Sequence, residues 1–68
     1  MMEKKEYHRA FELYSKALVH DSLNGKYYYK KGLCAYYMND TLEACEDWQI
    51  ALKLGETHAS NKIETFCK

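Results

Sequence analysis

The chain has 68 residues, with ten Lys/Arg against ten Asp/Glu and a formal net charge of zero. That length holds one domain with a marginal core. The balanced charge removes any global pull toward nucleic acid or an anionic membrane. Charge is nonetheless uneven: residues 1–31 carry seven cations against four anions, and residues 32–68 carry three against six. The absence of proline and the presence of only three glycines point to an all-helical chain. The opening "MMEKKEYHRA" contains no apolar leader core, and no apolar run approaches membrane-spanning length. The expectation is a soluble cytoplasmic protein without a membrane association, with an exported one, its leader removed, as the alternative.

The first segment, about Glu3 to His20, repeats apolar residues at Tyr7, Ala10, Phe11, Tyr14, Ala17 and Leu18. That spacing is helical. "DSLNG" ends it and offers Asn24 as the N-cap of a second helix, about Lys26 to Met38. In "GKYYYKKGLCAYY" three consecutive tyrosines cannot share a face, since each residue turns about 100°. Tyr28, Gly32 and Ala35 make one stripe, Tyr27, Cys34 and Met38 a second, and Tyr29, Leu33, Tyr36 and Tyr37 a third. "DTLEACEDW" opens a third helix, with Asp40 as N-cap and Glu43 three residues on, an acidic capping box. Its apolar face is Leu42, Ala44, Cys45, Trp48, Ala51 and Leu52, and Gly55 closes it. A short fourth helix, about Thr57 to Cys67, gathers Ala59, Ile63, Phe66 and Cys67 on one side.

Ala10, Tyr14, Ala17 and Leu18 recur as Ala44, Trp48, Ala51 and Leu52, each pair 34 residues apart. A fixed offset that keeps alanine, aromatic, alanine is the mark of a stacked helical repeat. Alanine lets two helix backbones approach, and the aromatic fills the space beside them. The pattern resembles the tetratricopeptide repeat, a helix–turn–helix unit of that period, over about residues 6–55, and is similar to short bacterial forms of it. Tyr28 takes the family's first aromatic position and Gly32 its small residue at the helix crossing. Lys31 stands where leucine is usual, Ala35 replaces a tyrosine, and the closing proline is absent. The resemblance implies an all-α, short right-handed stack of antiparallel helix hairpins. Residues 1–21 form a half repeat like a helix B, 25–55 one full repeat, and 57–68 a capping helix.

In that frame the first helix has no helix A before it. The flank at Tyr7, Ala10, Phe11 and Tyr14 is therefore expected to be covered by another chain, most simply a second copy in a homodimer. A truncated or designed repeat fragment without independent function is the alternative. The face at Lys26, Tyr29, Lys30, Leu33, Tyr36 and Tyr37 is expected to form a groove for a partner peptide or helix with apolar anchors. Single-stranded RNA stacking on the tyrosines is a further alternative, disfavoured by zero net charge and a single arginine.

Three cysteines read first as small buried apolar side chains, and next as one disulfide with one free thiol. The stretch "ACEDW…LG…A…FC" looks like the closing segment of some bacterial tetratricopeptide proteins, which implies a Cys45–Cys67 bridge as the alternative to three thiols. Cysteines at 34, 45 and 67 and histidines at 8, 20 and 58 show no metal-ligand spacing. Glu46 and Asp47 are adjacent on a helix, so their carboxylates diverge and are expected to solvate its outer face. No nucleophile–base pair and no phosphate loop is visible. The reading is a non-catalytic protein without metal or cofactor.

Overall fold

The computed structural model describes residues 4–67. They form four helices: α1 (Lys4–His20), α2 (Gly25–Tyr37), α3 (Thr41–Lys53) and α4 (His58–Phe66). No strand occurs among the described residues. α1 packs on α2, α2 on α3, and α3 on α4, so chain neighbours are spatial neighbours. The expected helix bounds hold to within a residue or two, except that positions 1–3 and 68 lie outside the described residues.

Local chemistry sets the ends. The Asn24 side chain accepts from the Tyr27 N–H at 3.2 Å, capping α2, and Asp40 accepts from the Glu43 N–H at 3.3 Å, capping α3. The reciprocal half of the expected capping box is not made. The Asp40 N–H donates instead to the Ala35 carbonyl at 2.9 Å, and the Glu43 carboxylate turns toward Lys31, 3.9 Å away. α2 and α3 finish alike. Asn39 (φ 66°) and Gly55 (φ 97°) take the left-handed conformation. The following N–H groups, of Asp40 and Glu56, then return to the Ala35 and Ala51 carbonyls at 2.9 Å each. Those bonds satisfy carbonyls that a helix end leaves open.

The core is built on small residues around one large one. Ala35, Ala44, Trp48, Ala51 and Ala59 are completely buried. Phe11, Tyr28, Leu33, Tyr36, Ile63 and Phe66 pack around them. Trp48 Nε1 donates to the Tyr29 carbonyl at 3.2 Å, tying α3 to α2 through a side chain. Gly32 makes that approach possible: a Cβ there would lie 2.6 Å from Trp48 Nε1 and 2.7 Å from Cδ1. Gly32→Ala is therefore expected to cost about 1–3 kcal/mol by overpacking, despite alanine's better helix propensity. Urea denaturation measures it, and a stabilised variant would refute the tight crossing.

Two expectations change here. Cys45 and Cys67 are joined in a disulfide, with Cα atoms 5.8 Å apart, so only Cys34 remains a buried thiol. Closing this loop, with its sequence separation of 22, stabilises the fold by about 3 kcal/mol on the chain-entropy account. Asp47 does not solvate the outer face: it is 2% exposed, and only Glu46 of the pair faces water. Asp47 lies on the α2 side of α3, where Lys31 Nζ covers it at 3.2 Å, whereas Glu46, a turn of about 100° away, faces out.

Candidate interaction surface

The aromatic face of α2 is divided between two neighbours. On the α1 side, the Tyr37 ring stacks on Tyr7 with centroids 4.8 Å apart, and Tyr27 meets Tyr14 at 6.0 Å. Tyr7, Ala10 and Tyr14 of α1 then face Lys30, Leu33 and Tyr37 of α2 across an open, mostly apolar cleft of about 260 Å³. Cys34 lies at its floor, and burial pushes its thiol pKa up, which keeps it protonated and unreactive. Lys30, Leu33 and Tyr37 of the expected groove and Tyr7, Ala10 and Tyr14 of the expected self-association flank thus share one depression.

On the α4 side, Tyr36 is not a free groove residue. Its ring lies 4.5 Å from Phe66 and 6.1 Å from Trp48. Tyr29 is near His58, with ring centroids 6.5 Å apart, and lines a second hollow of about 280 Å³ with Lys26, Lys30, Glu56 and His58. Phe11 also leaves its expected group. It turns from the α1 flank into the core, under the Lys31 ammonium at 4.9 Å.

Burial separates the two copies of the 34-residue pattern. Ala44, Trp48 and Ala51 are fully buried between α2 and α4, whereas Ala10, Tyr14 and Ala17 are only half-buried; the fourth pair reverses, with Leu18 buried and Leu52, expected on the apolar face, 39% exposed. Tyr28 and Gly32 occupy the crossing with α3: Gly32 is buried against Trp48, and Tyr28 packs on the core.

One charged cluster escaped sequence reasoning. Lys31 Nζ of α2 sits 3.2 Å from Asp47 Oδ1 and 3.9 Å from Glu43 Oε2 of α3. The Phe11 and Tyr28 rings flank the ammonium at 4.9 and 5.9 Å. Asp47 Oδ2 has no hydrogen-bond partner among the described residues. Burial pushes the Asp47 carboxyl up to about 7; Lys31 opposes that shift and Glu43 adds to it. The available signal was Lys31 itself. A cation at an otherwise apolar position of α2 calls for an acid opposite, and α3 supplies two.

Among the described residues no group of three or more His, Cys, Asp or Glu is gathered to hold a metal. No helix of the described residues is long and apolar enough to cross a membrane. Comparison with protein families, curated proteins and solved structures finds no match to this chain.

Proposed function

We propose that this chain is a non-catalytic protein-interaction module of the tetratricopeptide type, which receives a partner segment on the aromatic face of α2 and associates with itself along α1. The observation that carries the reading is the α1–α2 cleft, where Tyr7, Ala10 and Tyr14 meet Leu33 and Tyr37 beneath a single cation, Lys30. Apolar walls with one charged rim group suit a helix or extended peptide with apolar anchors and an acidic neighbour. The half-buried Ala10, Tyr14 and Ala17 support self-association, because Ala44, Trp48 and Ala51 at the matching places of α3 are fully covered. The Cys45–Cys67 bridge suits an oxidising compartment better than the cytoplasm.

Selection of displayed random peptides against the oxidised protein tests the reading. The expected result is enrichment of peptides with aromatic or aliphatic anchors, lost against Tyr37→Ser and weakened against Lys30→Glu. Tyr37 is half exposed, so the first substitution leaves the core alone. Peptide affinity should change little between 50 and 200 mM salt. No enrichment, combined with a monomeric mass at high concentration by light scattering, would refute both parts of the proposal. A strongly salt-dependent affinity for single-stranded RNA would replace them.

A further inference from the structure

We propose that α4 is a redox-latched strap over a second docking seat, and that the released seat takes a partner helix of α4's own chemistry. The inference rests on the reading of α2's aromatic face as the recognition surface, and it adds how half of that face is controlled. The seat is the Tyr36–Trp48 surface. α4 fills it with three side chains: Ala59, fully buried, then Ile63 and Phe66 packed on the core. The Phe66 ring lies 4.5 Å from Tyr36 and 5.9 Å from Trp48. A helix with a small residue, then an aliphatic four places on, then an aromatic three further reproduces that fit. The other side of α4, at Asn61, Glu64 and Thr65, is exposed and polar.

The strap is weak without its latch. α4 has nine residues, and its N-cap, Thr57, makes no side-chain hydrogen bond. A helix that short does not persist on its own in water. Cys67, the C-cap residue of α4, is bonded to Cys45 on α3, so the chain cannot leave while the bridge stands. Both cysteines are half-buried, within reach of a small thiol. The required reductant is a dithiol. Its thiolate attacks one sulfur of the bridge and forms a mixed disulfide, releasing the other cysteine as a thiolate that takes up a proton. The second thiol of the reductant then displaces the remaining cysteine and closes a cyclic disulfide. Two electrons pass to Cys45 and Cys67, and the reductant is oxidised. Cys34 is buried on the α1 side and stays out of the exchange.

Amide hydrogen exchange on the full chain, oxidised and treated with dithiothreitol, tests the strap. Reduction is expected to bring α4 close to free exchange and to lower protection in α2 and α3 by at most on the order of 100-fold, the loop-closure term of the bridge, so that they remain the slower-exchanging part. Cys45→Ser should reproduce this without reductant. The seat is probed with a labelled synthetic peptide of residues 57–67 carrying Cys67→Ser. It should bind the reduced protein and Cys45→Ser, fail on the oxidised protein, and lose binding when its Phe66 is replaced by alanine. Unchanged α4 protection on reduction would overturn the proposal, and so would exchange in α2 and α3 as fast as in α4. A doubled mass on reduction would give the seat to the α4 of a second copy and overturn the partner helix. Peptide selection on the oxidised protein reads only the α1–α2 cleft, so failure there is distinguishable from failure here.

Discussion

Trp48→Ala is expected to abolish the cooperative thermal transition. Truncating a buried tryptophan costs about 3–5 kcal/mol, and a chain this small has a total stability near the low end of about 5–15 kcal/mol. Trp48 is the largest fully buried side chain. Its ring lies within 6.1 Å of Tyr36 and 5.9 Å of Phe66, and its N–H holds the Tyr29 carbonyl. Removing it leaves a cavity where three helices meet and cuts the side-chain tie from α3 to the Tyr29 carbonyl of α2. The Cys45–Cys67 bridge does not compensate, because it ties α4 to α3 and not α3 to α2. Leu42→Ala, on the same helix but 74% exposed, is the matched control and should shift the midpoint little. Far-UV circular dichroism on heating reads both. A Trp48→Ala chain that melts cooperatively within a few degrees of the parent would refute the placement of this ring as the keystone of the core.

The second large effect is a loss of stability as pH rises. The carboxyl of Asp47 titrates at about 7 in the folded chain, against an ordinary 3.8, because burial disfavours its charged form more than Lys31 restores it. The folded chain therefore holds a proton that the unfolded chain releases between those two values. With the unfolded pKa the lower one, this contribution is full below about pH 4. It is lost progressively as pH rises toward 7 and is gone above it. At 1.36 kcal/mol per pKa unit, the loss amounts to roughly a few kcal/mol. Urea denaturation at pH 4.5, 6 and 7.5 should show it as a falling midpoint, and Asp47→Asn should flatten the slope. Subtracting the Asp47→Asn profile removes whatever the two chains share and leaves the contribution of Asp47. A difference that is flat or rises over this window would contradict the burial of Asp47.

The cluster also has a structural consequence. Lys31 bridges α2 to α3 through Asp47 and Glu43, and covers the Phe11 ring of α1. Three helices therefore converge on one ammonium group. Replacing such a partly buried ion pair with apolar residues is often neutral or stabilising, so its presence argues more for register than for strength.

Much of the chain's local structure is legible in its residues alone. Asn24 and Asp40 cap helices because a short polar side chain reaches an N–H two or three residues away, a matter of local geometry. Asn39 and Gly55 end helices for an equally local reason, tolerance of the left-handed conformation. The alanines and tryptophan of α3 declared their burial through spacing alone, and the tetratricopeptide resemblance implied a close crossing at Gly32. What the residues did not disclose is which neighbour covers each face. Glu46 and Asp47 are equivalent by adjacency, yet one faces water and the other lies beneath Lys31. Phe11 belongs by spacing with Tyr7 and Tyr14, yet turns to the core. Tyr36 belongs by spacing with Tyr37, yet lies under Phe66.

Composition, caps and the 34-residue offset by themselves determined four helices, their ends and the buried identity of Ala44, Trp48 and Ala51. The tertiary structure alone decided that Cys45 joins Cys67, that Asp47 is taken out of water, and that α4 divides the aromatic face of α2 in two. The physical reason is range. Hydrogen bonds at helix ends and the repeat of apolar residues are settled within one or two turns. The crossing of helices is settled by side chains far apart in the chain that compete for the same space.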